Sequence, residues 1–255
     1  MAEPDIFGVS LRDYQDLLLK IRNATSAFVF SGAGLSAESG IPTYRDDPKG
    51  MWARLNPQDY ASVDGFSRNP VGVWRWYWDR KEEVLDCEPN PAHLEVARLQ
   101  QVLPAHVVTQ NVDGLLTRAG CSHVHEMHGN LFSYKCLDCE RTPTSFSSFQ
   151  RDVVPECTHC GGWIRPSVVW FGETLDVAPH LEAELHATRM DLFISVGTSG
   201  DVHPASTLPV RAAHAGKTLV IINPAVTAHD ALTPFVFRGR AGQVLPKLLT
   251  DAGLL

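Results

Sequence analysis

Apolar residues come along this chain in two rhythms, and their alternation predicts the architecture. Residues 11–21 place apolar side chains at helical spacing, and Ala27-Phe28-Val29-Phe30 is an unbroken apolar run that stops at Ser31-Gly32-Ala33-Gly34. That order reads as helix, buried strand, glycine turn. Apolar runs at residues 106–109, 168–171, 192–196 and 219–222 predict further strands. Stretches near residues 91–103, 178–188, 204–215 and 241–252 predict the intervening helices. Strands apolar on both faces and alternating with helices specify a parallel sheet covered on both sides. The expected fold class is α/β, a Rossmann-like doubly wound parallel sheet.

Two segments break the rhythm. Residues 42–69 are rich in Pro, Asp, Gly and Asn, and an irregular stretch of that length in a compact domain reads as a lid. Asn69-Pro70 then caps and begins a helix in which Trp74, Tyr77 and Trp78 stand at helical spacing. The other segment, residues 135–166, has few long apolar runs and holds two cysteine pairs, so metal is expected to replace a hydrophobic core there. The expected division is residues 1–45, 91–134 and 167–255 for the sheet domain, 46–90 for a helical lid, and 135–166 for an inserted zinc-binding module.

Composition narrows the function classes. The 255 residues, 44% hydrophobic and 20% charged, suit a soluble globular fold of one large domain, or one domain with an insertion. With 22 basic against 29 acidic residues and no basic run, direct nucleic-acid binding is not expected. Residues 1–10 lack a basic start followed by an apolar stretch, and no segment approaches membrane-spanning length, so the expected setting is the cytoplasm, with no membrane partner. Oligomeric state is not legible.

Cys136-Leu137-Asp138-Cys139 and Cys157-Thr158-His159-Cys160 have the spacing of a zinc ribbon. Four thiolates fill a tetrahedral shell and leave no open position, so such a metal organises structure and does not activate water. Structural zinc binding in small peptides is worth about 10 to 16 kcal/mol, enough to decide whether this module folds. Cys87 and Cys121 lack such partners and read as ordinary thiols.

The glycine turn Gly32-Ala33-Gly34-Leu35-Ser36-Ala37 is expected to open a helix whose backbone N–H groups face a pyrophosphate. The acidic residue that usually follows about twenty positions later is missing, because the lid occupies that interval. Thr109-Gln110-Asn111-Val112-Asp113-Gly114 places two amides and a carboxylate just past a strand, where open α/β sheets bind ligands. Gly197-Thr198-Ser199 and Asn223-Pro224 occupy the same position after two other strands. Taken singly, each strand-end segment is more often a capped loop than a site; their convergence carries the case. His128, in Met127-His128-Gly129-Asn130, has a side chain suited to general-base work near neutrality, although lone histidines are commonly structural.

Together these motifs resemble one family closely, the sirtuins, which are NAD-dependent protein lysine deacylases. The resemblance rests on Gly32-Ala33-Gly34-x-Ser36-x-x-Ser39-Gly40-Ile41-Pro42, Thr109-Gln110-Asn111-x-Asp113, His128-Gly129-Asn130, both cysteine pairs, Arg165-Pro166-x-Val168-Val169-Trp170-Phe171-Gly172-Glu173 and Gly197-Thr198-Ser199, in the family's order. It implies that NAD is consumed as a co-substrate and that the acyl group passes from lysine to ADP-ribose. His128 is then the general base. Gly32, Ala33, Gly34, Ser36, Ala37, Thr43, Tyr44, Arg45, Gln110, Asn111, Asp113, Gly197, Thr198, Ser199, Asn223 and Ala241 are the expected cofactor residues, with Asn111 and Asp113 at the nicotinamide end. Val169, Phe171, Gly172 and Glu173 are expected to pair with an acylated peptide as an added strand. The chain departs from the family's usual Asp-Phe-Arg at Thr43-Tyr44-Arg45, and Gly200-Asp201 follow where an apolar residue is usual.

Tyr77 and Arg80 lie three residues apart and so share one side of their helix. A phenol and a guanidinium in an acyl channel bind a terminal carboxylate through charge-assisted bonds. This arrangement looks like the sirtuin subgroup that removes succinyl or malonyl groups, with a small residue matching Ala61 widening the channel. The competing reading pairs Arg80 with a surface carboxylate. A general deacetylase, a mono-ADP-ribosyltransferase and a non-catalytic NAD-sensing module remain the alternatives at this level.

Overall fold

The strand Ala27–Ser31, here β3, is buried at every residue and forms the centre of the molecule. The computed structural model describes residues 5–43 and 56–254. A short antiparallel pair, β1 (Asp5–Ile6) and β2 (Val9–Ser10), precedes the helix Leu11–Asn23, which Ser10 caps through Asp13 N–H. Around β3 lie β4 (Ala105–Thr109), β5 (Val124–Glu126), β8 (Leu192–Val196), β9 (Thr218–Ile222) and β10 (Val236–Phe237). They form a six-stranded sheet in the order β10-β9-β8-β3-β4-β5, parallel throughout. The chain runs outward from β3 to one edge and then returns to build the other half, so the connections diverge between β3 and β8. Loops on the two sides part at that point, and the strand C-termini there open into a crevice.

Alternation along β3 explains the two-sided cover. Val29 packs with Leu17, Ile21, Val107 and Leu245 on one face, while Phe28 and Phe30 pack with Val108, Phe193 and Ala183 on the other. Helices Leu11–Asn23, Pro91–Val102 and Ala241–Asp251 cover the first face; helices Val177–Arg189 and Thr207–His214 cover the second. The expected α/β sheet and its helices are therefore present. β5 and β10, only three and two residues long, were not expected from the apolar pattern.

Three expectations change. The apolar run at residues 168–171 is not a strand of the parallel sheet. Only Val168 belongs to a strand, as the end of β7 (Ile164–Val168), which pairs antiparallel with β6 (Gly129–Cys136) in a separate ribbon. Val168 and Trp170 are buried against the lid helices instead, in a cluster with Phe66, Val73 and Tyr77, while Phe171 is exposed. The glycine turn does not open an α-helix; it makes two 3-10 turns, Ala33–Leu35 and Ala37–Ser39, ended by Gly40 at φ 92°. Residues 42–69 are not wholly irregular. Asn56 caps a helix at Pro57–Tyr60, and Ser62 caps another at Val63–Arg68. Tyr44 and Arg45 lie outside the described residues.

The long lid helix Pro70–Leu85 begins where Asn69 caps it, as the Asn-Pro pair requires. One side of it is fastened to the cysteine-rich segment. Trp74 Nε1 donates to Gln150 O at 2.8 Å, Arg75 pairs with Asp152 at 2.6 Å, and Arg151 forks onto Asp79 at 2.6 and 2.7 Å. Its other side carries Tyr77 and Arg80 to the wall of a cleft.

Candidate active site and cysteine tetrad

The crevice at the strand ends is built by close backbone approach. Gly34 N–H donates to Gly197 O at 2.8 Å, and a Cβ added at Gly34 would stand 2.7 Å from Gly197 Cα, so no side chain fits between β3 and β8. Gly32 N–H likewise reaches Val196 O at 3.1 Å, and Gly197 N–H reaches Ile222 O at 2.9 Å. Asn223 Nδ2 donates to Thr198 O, and Thr198 Oγ1 donates to Gln110 Oε1. Through these bonds Gly32, Gly34, Gln110, Gly197, Thr198 and Asn223 form one connected rim. Ser199 accepts Ala228 N–H through its carbonyl, and Gly200 takes φ 83° against His229, a position with no room for an apolar side chain. Ala241 is buried at the start of the last helix, beside the bond from Gly242 N–H to Glu38.

Behind the rim lies a buried polar chain. Asn90 N–H donates to His93 Nδ1, which leaves the His93 proton on Nε2, 3.3 Å from Ser36 Oγ. Ser36 Oγ donates to Asp113 Oδ2 at 2.7 Å and accepts from Asn111 Nδ2 at 3.1 Å. Asn111 Nδ2 also reaches Gly32 O, and Asp113 Oδ1 takes Leu115 N–H at 2.9 Å. Burial raises the Asp113 pKa against the opposing Ser36 bond, and burial pushes His93 down to about 4, so its imidazole is neutral at pH 7. His93 is a site-supporting residue that the motif reading missed; its only signal was the Asn90-Pro91 cap three positions before it.

A cleft of about 900 Å³ runs from this chain to the lid. Ala33, Ser36, Gln110, Asn111, Asp113 and His128 line one end, and Ala61, Tyr77, Arg80, Val169, Phe171, Gly172 and Glu173 line the other. Among the described residues, the expected Gly32, Gly34, Ala37, Thr43, Gly197, Thr198, Ser199, Asn223 and Ala241 are outside its walls. His128 Nδ1 is 3.0 Å from Gln110 O. A carbonyl only accepts, so the proton sits on Nδ1 and the lone pair is on Nε2. Burial lowers the His128 pKa against that bond, so the ring is neutral near pH 7.

The lid end is different from expectation in two details. Glu173 spends both carboxylate oxygens within its own loop, one on the Arg165 guanidinium and the other on Trp170 N–H at 2.8 Å. Arg80 is largely buried, yet its Nη1 pairs with Glu83 at 2.5 Å. That pair uses part of a guanidinium with five N–H donors, on a residue that still lines the cleft.

Cys136, Cys139, Cys157 and Cys160 bring their four Sγ atoms within 4.8 Å of one another. Cys136 and Cys160 are 3.5 Å apart and Cys139 and Cys157 are 3.7 Å apart. Tetrahedral Zn–S bonds of about 2.3 Å put sulfurs roughly 3.8 Å apart, so the tetrad fits a structural zinc ion. Backbone N–H groups of His159 and Cys160 lower the Cys157 thiol to about 7, which favours the ligating thiolate.

Comparison with known proteins matches residues 32–204 to the Sir2 family. A protein of Ralstonia nicotianae named NAD-dependent protein deacylase is 44% identical over 230 residues, covering 90% of this chain and 93% of that one. One of the same name from Mycobacterium tuberculosis is 42% identical over 225 residues, covering 87% and 95%. Among solved structures, a complex of a Sir2 homologue with NAD superposes with a TM-score of 0.87 at 36% identity, covering 94% of this chain and 93% of that one. A Sir2 complex holding a deacetylated p53 peptide and 3'-O-acetyl ADP-ribose superposes with a TM-score of 0.81 at 30% identity, covering 94% and 99%.

Proposed function

This chain belongs to the Sir2 family, and from that premise we propose that it is an NAD-dependent protein lysine deacylase that prefers succinyl- or malonyl-lysine and removes acetyl more weakly. NAD, when bound, supplies a nicotinamide–ribose bond whose cleavage exposes the ribose carbon that takes the acyl oxygen. The residues that would hold it are the rim of Gly32, Gly34, Gln110, Gly197, Thr198 and Asn223, with Asn111 and Asp113 beneath the reacting end. The rim fits such a group because its glycines let the turns after β3 and β8 close on each other, which brings bare backbone to the strand ends.

The single observation that carries the catalytic reading is the His128 bond to Gln110 O. It fixes the tautomer with Nε2 unprotonated, and the lowered pKa keeps it so at neutral pH, which suits removal of a proton from a ribose hydroxyl. Asn111 and Asp113 are held by Ser36, so their orientation precedes ligand binding.

Phe171, exposed at the cleft mouth, marks the peptide side. Val169 N–H is bound to His128 O, Phe171 N–H to Ala61 O and Trp170 N–H to Glu173, which among the described residues leaves the Val169 and Phe171 carbonyls and the Gly172 N–H to an added peptide strand. Tyr77 and Arg80 stand farther in, where a terminal acyl carboxylate finds a phenol and a guanidinium. We infer a cytoplasmic setting for this chemistry, where NAD is available.

Incubation with NAD and matched succinyl and acetyl peptides, followed by mass spectrometry of peptide and nucleotide products, tests both levels. Nicotinamide release with O-acyl-ADP-ribose, faster from the succinyl peptide, is the expected result. Equal or faster turnover of the acetyl peptide overturns the acyl preference alone; no nicotinamide from either peptide overturns the enzyme.

A further inference from the structure

Tyr77 is 4% exposed and has one hydrogen-bond partner among the described residues. That partner is Trp170, whose Nε1–H donates to the phenol oxygen at 2.8 Å. An indole N–H only donates. The bond therefore occupies a lone pair of the phenol and leaves the phenol's own proton to point elsewhere, on a residue that lines the cleft.

Trp170 is itself immobilised from beneath. Arg165, 1% exposed, lays its guanidinium 3.9 Å from the Trp170 ring centroid, donates from Nη1 to Val168 O at 3.0 Å and pairs with Glu173. Glu173 in turn holds Trp170 N–H. One buried cation thus grips the loop at both ends and supports the indole face between them. Phe66 tilts against the same indole at 5.3 Å, and Trp76 meets the Tyr77 ring edge-on at 4.7 Å, so neither ring has a second place to go.

We propose that Trp170 is a specificity-determining residue, whose indole N–H fixes the Tyr77 hydroxyl as a donor into the cleft and so selects acyl groups that end in an oxygen acceptor. The residue works through Tyr77 and need not touch the acyl group. Arg165 is a positioning residue for it. This inference rests on the reading of the cleft as an acyl-lysine site. Burial raises the Tyr77 pKa above the usual phenol range, so the proton to be donated is present at neutral pH.

The chemistry distinguishes acyl groups cleanly. A carboxylate end accepts from Tyr77 and Arg80 together, whereas a methyl end offers no acceptor and gains nothing from an oriented O–H. Without the indole N–H, the phenol oxygen has both lone pairs free, and its proton loses its fixed direction.

The test compares Trp170→Phe, Tyr77→Phe and the double variant, each assayed as the succinyl-to-acetyl ratio of kcat/KM. A hydrogen bond to a charged group is worth enough to change that ratio by about tenfold. Each single variant is expected to lower the ratio by about tenfold, and the double variant to lower it no further than either alone, since both remove one coupled device. In parallel, the indole N–H resonance of Trp170, identified by its loss in Trp170→Phe, is expected to move in Tyr77→Phe. A ratio unchanged by Trp170→Phe, or single effects that add in the double variant, overturns the proposal. The unmodified ratio tests the acyl reading separately. A ratio below one that falls further in Trp170→Phe sinks that reading and keeps the donor role; a ratio above one that Trp170→Phe leaves alone does the reverse.

Discussion

The Ser36 hydroxyl donates to Asp113 Oδ2 over 2.7 Å, tying the turn after β3 to the loop after β4 inside the candidate site. Ser36→Ala removes a donor from a buried carboxylate, which retains Leu115 N–H alone among its described partners. The expected cost is about 1 to 3 kcal/mol of stability, seen as a lower urea midpoint at unchanged slope. The KM for NAD is expected to rise in the same variant. An unchanged midpoint and an unchanged KM would show that the bond contributes to neither.

His128→Gln removes the proposed base while keeping a polar side chain of similar reach. Deacylation is expected to fall by about 10² to 10⁴, while calorimetry still detects NAD binding. A loss of less than tenfold would take His128 out of the chemistry.

Arg80→Met is expected to lower succinyl turnover far more than acetyl turnover, by about tenfold or more in their ratio. Peptide kinetics with both acyl groups read this directly. Equal losses would assign Arg80 to its pair with Glu83 and the packing of the lid helix.

Stability should fall with acid in a window set by buried neutral histidines. His93 titrates near 6.5 when unfolded and is pushed down to about 4 when folded, so between those values the unfolded chain binds the proton more readily. Its contribution is complete above pH 6.5 and is lost as the pH falls toward 4, amounting to roughly 3 kcal/mol. His106, stacked 4.3 Å from His186, is shifted the same way and steepens the slope. Thermal midpoints measured from pH 7 to pH 4 should drop, and His93→Gln should flatten the curve. A midpoint independent of pH across that window would contradict the burial argument.

Chelation is expected to unfold the cysteine segment, because residues 137–163 contain no long strand or helix among those described. Hydrogen exchange should rise there first, and added zinc should restore protection. A metal-free protein with full protection in that segment would remove the metal from the folding account.

The sheet was legible because β3, β8 and β9 are each apolar at four of their five positions, a pattern that burial on two faces imposes. The run at residues 168–171 carried the same signal for another reason. Trp170 and Val168 are buried by the lid helices and by Arg165, and apolar pattern alone does not say which neighbour does the burying. The tetrad was legible from spacing, since each Cys-x-x-Cys knuckle places its own two thiolates. The site was legible as strand-end motifs, yet His93 was invisible, because its role depends on a helix cap and on Ser36, 57 residues away in sequence. Arg80 and Glu83 show the limit of spacing arguments: one turn of helix serves an ion pair as readily as a binding wall.

The lid helix Pro70–Leu85 is bolted to the cysteine segment by Trp74, Arg75 and Asp79 and shows Tyr77 and Arg80 to the cleft from the same two turns. On the proposed reading of the cleft, metal loading and substrate ranking are therefore expected to move together. Protein purified with chelators present would first misreport which acyl group it favours, and only later lose its fold, so batches should be matched for zinc content before their selectivities are compared.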